Sequence, residues 1–397
     1  MTAREAIDYL QIKRATLYTY VSRGWVKAIS PGGSRKLYLR SDVERLKVRQ
    51  RARAGHGAVA GDALRWGEPV LETRISNIEA GRLTYRGRDA LDLTGHPFEQ
   101  VATWLALGRW VEPAPWGGLE GRRVEVERPL RGETPLKTMR LVVARRGVPQ
   151  PDPDPEREFE RGAALVHELA AVMFAPERVE RARAEATVAA ALARASGLLA
   201  TAREPDLLLE ALNGALVLCA EHGLNASTFA ARVIAATGAD LDACLLGGFA
   251  ALSGPLHGGA CDRIEAVLDE LDAGESADAV VARRLEAGMA GFRHPLYPSG
   301  DPRTAPLLAW ARRLGGDAPR LQSAMALERA MRRVELDTPT VDFGLVALCA
   351  ALGLPRGAAA GIFGLGRCAG WIAHVLEQRE TRALIRPRAR YIDEPTP

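Results

Sequence analysis

Between residues 158 and 377 apolar side chains recur three and four positions apart, in Ala-, Leu-, Arg- and Glu-rich stretches punctuated by Gly and Pro. A period of 3.6 gathers such residues on one stripe of a helix. The pattern predicts helices over 158–174, 176–199, 205–221, 227–236, 239–252, 259–272, 276–290, 304–314, 319–335, 341–352 and 356–377. Strict alternation, the mark of a half-buried strand, is almost absent, and no unit repeats at a fixed period. The expected fold class is therefore mainly α. Pro and acidic residues collect over 111–157 and end in Pro149-Gln-Pro-Asp-Pro-Asp-Pro155, which cannot be regular helix because proline lacks the amide donor. Residues 50–68, rich in Arg, Ala and Gly, predict a linker or a frayed helix.

The first fifty residues have a pattern of their own. Thr2 can cap a helix running to about Leu10, a break follows at Gln11-Ile12-Lys13, and a second helix from Arg14 to Ser22 is ended by Gly24. Val26 to Leu39 alternates around Pro31-Gly32-Gly33, which predicts a two-stranded wing, and Ser41-Asp42-Val43-Glu44 has the spacing of a capping box. Residues 1–53 carry 13 Lys/Arg against 4 Asp/Glu in a chain whose total is only +4, so the rest is net negative and the two parts should meet different partners. The runs ATLYTYVSRGWVKAI and GSRKLYLRSDVERL resemble winged helix-turn-helix heads of the MerR and excisionase type. That resemblance implies a DNA-contacting helix lined by Arg14, Thr16, Tyr18 and Thr19, with Arg23, Arg35 and Lys36 on phosphates. The alternatives are a solvated basic face and a module that docks protein or steadies a dimer.

At 397 residues, 47% of them hydrophobic and 26% charged, the chain can fill two or three domains. No uninterrupted apolar run approaches the roughly 20 residues of a membrane span, and Met-Thr-Ala-Arg-Glu lacks the apolar stretch of a secretion signal, so a cytoplasmic location is expected. The five cysteines, at 219, 244, 261, 349 and 368, have no metal-ligand spacing; packing is their expected role, with no metal.

Four polar segments interrupt the helical body where backbone turns or helices end: Glu221-His222-Gly-Leu-Asn-Ala-Ser-Thr228; Ser253-Gly-Pro-Leu-His257-Gly-Gly-Ala260; Gly291-Phe-Arg-His294-Pro-Leu-Tyr-Pro-Ser-Gly-Asp301-Pro-Arg303; and Val341-Asp342-Phe343. Each alone has an ordinary reading, since His bonds at helix ends, Asp caps helices and Arg pairs on surfaces. Together, and with Thr73–Gly87, Gly366-Arg367-Cys-Ala-Gly-Trp-Ile-Ala-His374 and Arg386-Pro-Arg388-Ala-Arg-Tyr391, they resemble the citrate synthase family over roughly residues 70–392.

The resemblance implies a two-domain helical body with a large domain over 71–252 and 353–397 and a small domain over 253–352, preceded by the head (1–52) and a linker (53–70). It implies condensation of acetyl-CoA, a co-substrate, with the 2-oxo dicarboxylate oxaloacetate, followed by thioester hydrolysis, with no cofactor. Asp342 would be the base, His257 the donor to the thioester oxygen, and His294 the donor to the oxaloacetate carbonyl. Arg303 and Arg367 would clamp carboxylates, His222 would add a ligand contact, and Arg386 would reach across a homodimer. Thr340 stands where the family often has Asn, and Arg293 where it usually has Gly. A 2-methylcitrate synthase using propionyl-CoA, and a DNA-binding regulator whose body senses a metabolite, are the alternative functions.

Overall fold

Helix starts in this chain are written by short polar side chains and prolines. Thr2 caps the first helix, α1 (Ala3–Leu10), in a reciprocal capping box with Glu5. It leads into α2 (Arg14–Ser22) and an antiparallel pair, β1 (Ala28–Ile29) with β2 (Leu37–Tyr38). This computed structural model describes residues 1–29, 36–40, 42–43, 46–47, 71–112, 115–116, 133–146, 150–284, 288–336 and 338–387. The wing tip at Pro31-Gly32-Gly33, Arg35, the predicted linker and Arg388 to Tyr391 lie outside the described residues.

The body opens with three short antiparallel strands, β3 (Ser76–Glu79), β4 (Arg82–Tyr85) and β5 (Arg88–Asp89). Ala80 and Gly81, at φ of 51° and 76°, turn β3 into β4 through the two positive dihedrals that a tight hairpin needs. Fourteen further helices follow among the described residues. They are α3 (Phe98–Leu107), α4 (Pro135–Arg145), α5 (Pro155–Val172), α6 (Val179–Arg183), α7 (Val188–Ser196), α8 (Pro205–Cys219) and α9 (Ala226–Ala235). The rest are α10 (Leu241–Leu252), α11 (Gly259–Asp272), α12 (Ala277–Arg284), α13 (Thr304–Gly315), α14 (Pro319–Arg333), α15 (Val341–Ala351) and α16 (Ala358–Thr381).

The mainly helical expectation holds, with three differences of detail. The single helix expected over 176–199 is divided, because Thr187 adopts an extended backbone and caps a new start through the Ala190 amide. Helix α4 forms inside the Pro-rich 111–157 segment, with Pro135 at its first position where a missing N–H costs nothing. The hairpin escapes a periodicity search because its strands are only four residues long.

Helix α16 is the axis of the body. It is long and apolar enough to cross a membrane, yet all of that stretch is buried inside the fold, against α3, α5, α8, α9 and α10 among others. Its small residues let neighbours approach closely. A Cβ on Gly366 would lie 2.7 Å from the Leu216 carbonyl, and one on Gly370 would lie 2.4 Å from the Ala220 carbonyl, to which the Gly370 amide donates at 3.0 Å. Trp371, fully buried, packs edge-on to Phe249 and over Gly248.

The head has its own apolar core of Ala6, Leu10, Leu17, Val26, Tyr38, Val43 and Leu46, separate from that of the body. It rests on the body through Ile29 and Leu39, and through Lys27, whose Nζ donates to the Glu335 carbonyl at 2.7 Å and faces its carboxylate at 3.6 Å.

Candidate active site

Five segments supply the polar groups. His222 sits in the turn after α8, which Gly223, at φ 65°, bends toward α9. His257 lies in the turn between α10 and α11, and His294 in the loop before α13. Arg303 immediately precedes α13, Asp342 is the second residue of α15, and Arg367 is in the middle of α16. Helix ends and turns suit reactive groups because their backbone is not consumed by regular pairing.

Contacts join these segments into one constellation. His222 Nε2 lies 2.8 Å from the Tyr297 hydroxyl, and its ring meets that of His294 edge-on at 5.2 Å. The Arg303 guanidinium stacks over Tyr297 at 5.5 Å and binds Asp301 through Nε at 2.9 Å and Nη2 at 2.7 Å. Asp301 also accepts from the Val341 amide at 3.1 Å, beside Asp342. Asp342 in turn accepts from the Thr340 hydroxyl at 3.1 Å and faces the Cys261 thiol at 3.7 Å, four residues after His257. His257 Nε2 is 2.9 Å from the Ser227 hydroxyl, which is 2.8 Å from Asn225 Oδ1 and accepts from the Trp371 indole at 3.3 Å. Arg367 closes the circle: its Nε donates to the Cys219 carbonyl at 2.7 Å, three residues before His222.

The two arginines differ in a way that matters. Both are fully buried, but Arg303 has Asp301 as a bidentate partner, whereas both terminal nitrogens of Arg367 are buried without a hydrogen-bond partner among the described residues. Desolvation lowers the pKa of Arg367, while Asp301 outweighs burial and raises that of Arg303. A buried guanidinium with two open donors fits one ligand chemistry best, a planar anion such as a carboxylate.

The histidines are held neutral. Burial and the Arg367 charge push His257 down to about 4, and burial and Arg303 push His294 down to about 4. Burial places His222 well below the ordinary range, with Arg303 adding to the effect. His294 Nδ1 accepts from the Leu296 amide at 3.2 Å, so the ring carries its proton on Nε2. Asp342 moves the other way: burial raises its proton affinity, against the opposing pull of Arg303. A more basic carboxylate beside neutral imidazole donors is an arrangement for drawing a proton from a weak carbon acid while stabilising the resulting enol.

The structure thus brings together His222, His257, His294, Arg303, Asp342 and Arg367. Arg386 lies exposed in the extended chain after α16, with no hydrogen bond or ion pair to the cluster among the described residues. In the head, Arg14, Tyr18 and Thr19 are exposed on α2, Thr16 is half-buried, Arg23 stacks on the exposed Trp25 at 5.4 Å, and Lys36 is exposed. Tyr297, Ser227 and Asp301 take part in the site without having been singled out. Their signal was present, since Tyr297 and Asp301 share the His294 loop and Ser227 opens α9 beside the cap Asn225.

Residues 63–388 match the family model described as citrate synthase, C-terminal domain. The chain is 36% identical over 341 residues to a putative citrate synthase 2 of Mycobacterium tuberculosis, covering 79% of this chain and 87% of the relative. It is 30% identical over 362 residues to a 2-methylcitrate synthase of Shewanella oneidensis, covering 84% and 95%. Its fold is similar to the crystal structure of citrate synthase from Thermotoga maritima, with a TM-score of 0.67 and 25% identity over 83% of this chain and 94% of that one.

Proposed function

The chain belongs to the citrate synthase family, a family of acyltransferases, and from that premise we propose that it condenses acetyl-CoA with oxaloacetate and hydrolyses the thioester to citrate and CoA. The observation that carries the reading is the buried, half-satisfied Arg367 beside neutral His257 and His294 and a more basic Asp342.

Oxaloacetate enters first in chemical logic, because its two carboxylates answer the cations. One engages the open donors of Arg367, and Arg303, fixed by Asp301, meets the other. His222, anchored by Tyr297, gives a further polar contact. His294 presents Nε2–H to the carbonyl oxygen of the carbon to be attacked. Asp342 removes a proton from the acetyl methyl, while His257 donates to the thioester oxygen as it gains enol character. The Ser227 hydroxyl lies within reach of both Asn225 Oδ1 and His257 Nε2; turned toward Nε2, it leaves the ring proton on Nδ1 for the thioester. The enol carbon then bonds to the oxaloacetate carbonyl carbon, His294 protonates that oxygen, and water cleaves the citryl thioester. No cofactor enters; CoA is the leaving group.

The wider organisation belongs to the same reading. Residues 253–352 form a small domain that closes over the dicarboxylate and excludes water, the chain pairs as a homodimer to which Arg386 contributes across the interface, and the protein is cytoplasmic. The helix-turn-helix-like head, with its separate core and exposed Arg14, Tyr18 and Thr19, is a DNA-binding unit that the dimer would pair over a two-fold site. Propionyl-CoA differs from acetyl-CoA by one methylene, worth about 1–3 kcal/mol of discrimination in a pocket. Parallel assays with both thioesters therefore rank citrate against 2-methylcitrate formation.

The central test is release of free CoA by the purified protein, expected only when oxaloacetate is supplied. Asp342→Ala should abolish it while preserving the circular dichroism spectrum. Turnover that survives in that variant removes Asp342 from the role of base.

A further inference from the structure

The carboxylate of Asp342 has two unlike oxygens. Oδ2 accepts from the Thr340 hydroxyl at 3.1 Å; Oδ1 is met by the thiol of Cys261, 3.7 Å away. A hydroxyl is a full donor to a carboxylate and a thiol a weak one, so of these two contacts the one at Oδ1 commits its lone pairs far less. Cys261 belongs to the first turn of α11, which packs against α15, the helix carrying Asp342, and at 1% exposure it is closed to solvent. Burial and the Asp342 charge hold its thiol well above the ordinary range, so it stays a protonated donor and does not compete as a nucleophile.

We propose that Oδ1 is the oxygen that takes the methyl proton, and that Cys261 is a positioning residue that aims it with a bond too weak to occupy its lone pair. This rests on Asp342 being the base, as argued above. A stronger donor at 261 would orient the oxygen equally well but make it less basic, because donors to the ionised form favour that form. An apolar residue would leave the basicity and release the orientation. The thiol lies between these two failures.

The test uses Cys261→Asn and Cys261→Ala in the full chain. The readouts are pH profiles of kcat and kcat/KM for acetyl-CoA at saturating oxaloacetate, with thermal melts and the KM for oxaloacetate as controls. The asparagine amide can close on Oδ1, so the acid limb should move down by about one pH unit and the plateau kcat should fall roughly five- to tenfold. In the alanine variant the acid limb should move up by a few tenths of a unit with about a threefold loss of kcat, from mispositioning alone. Both should keep the KM for oxaloacetate within about twofold, since the thiol touches none of the groups that bind it. Profiles that superimpose on the parent, or limbs that move the same way in both variants, overturn the assignment. Cys261→Ser, smaller than the thiol but a stronger donor, supplies the downward arm if the amide disturbs folding. Oxaloacetate-dependent turnover in Asp342→Ala would instead remove the base itself, so the two failures are told apart.

Discussion

Arg303 and Arg367 are proposed to hold the same ligand, yet their surroundings require opposite responses to one substitution. Methionine fills much of the volume of the arginine stem without the charge. At Arg367 it removes a buried cation whose two terminal nitrogens have no hydrogen-bond partner among the described residues, at the cost of one bond to the Cys219 carbonyl and the stacking of the guanidinium over Phe363 at 4.8 Å. An unpaired buried group costs about 1–3 kcal/mol and a typical net hydrogen bond contributes about 1 kcal/mol, so the ligand-free Arg367→Met protein should melt at the parent temperature or a few degrees above it. At Arg303 the same change strands Asp301, 5% exposed, with only the backbone amides of Arg303 and Val341 left as donors. Breaking a buried pair costs about 3–5 kcal/mol, and the melt should fall accordingly. Oxaloacetate affinity should drop in both. Two charged hydrogen bonds at about 1.5–3 kcal/mol each predict a loss of roughly two to four orders of magnitude for Arg367→Met by calorimetric titration. An Arg367→Met protein that is clearly destabilised, or that binds oxaloacetate within about fivefold of the parent, refutes the idea that its open donors await a carboxylate.

His257 and His294 are held near 4, below their ordinary 6.5, so the unfolded chain takes up these protons first; stability should be full above about pH 6.5 and fall progressively toward pH 4, with urea midpoints falling less in His257→Gln and His294→Gln. A fall of the same size in those variants would sink the attribution. Gly370→Ala drives a Cβ against the Ala220 carbonyl and Glu221 Oε2, so α16 must part from the end of α8; a loss of about 3 kcal/mol in chemical denaturation is expected, with weakened oxaloacetate binding because His222 and Arg367 flank that contact. An unchanged midpoint would contradict the close approach. Deleting residues 1–52 should leave turnover within about threefold, because the head has a separate core, and should abolish any salt-dependent mobility shift of duplex DNA; a shift that survives the deletion places DNA binding elsewhere.

What the sequence discloses, and what it withholds, follows physical lines. The first helix start was readable because its signal is local, Thr2 satisfying a free amide within a turn; the helices expected from 158, 227 and 239 begin instead at Pro155, Ala226 and Leu241, and Pro155, read as the end of a non-helical stretch, opens α5 because a first position needs no amide donor. The histidines, Arg303 and Asp342 were picked out through the family resemblance, carried by polar segments that stand out at turns and helix ends against an apolar background. The partnerships that join residues dozens of positions apart were not, such as His222 with Tyr297 and Cys261 with Asp342. Nothing in the one-dimensional pattern separates Arg303, with a bidentate partner two residues away, from Arg367, whose donors are left open by the close packing of α16 and α8. Nor does it show that Arg293, where the family usually has glycine, adopts a φ of 64° and donates its amide to Thr338 at 2.6 Å. That strained residue ties the His294 loop to the segment entering Asp342.

On the roles proposed above, the charges in this cluster also give the reaction an order. Arg303 is the strongest opponent of proton binding by Asp342 after burial has raised it, and beyond desolvation Arg367 depresses His257, Arg303 depresses His294, and Arg303 leads the charges that depress His222. A dicarboxylate that neutralises both guanidinium groups removes that influence. Asp342 then becomes a stronger base, while the imidazoles remain neutral and each keeps one N–H for a carbonyl oxygen. Before oxaloacetate arrives the carboxylate of Asp342 is less basic, so the methyl proton of acetyl-CoA is less readily taken. Because Asp301 binds Arg303 with its carboxylate and the Val341 amide with the same oxygen that meets Nη2, any shift of Arg303 toward the ligand is passed directly to the first turn of the helix that carries the base. Binding energy from two carboxylates is in this way spent on the group that must act next.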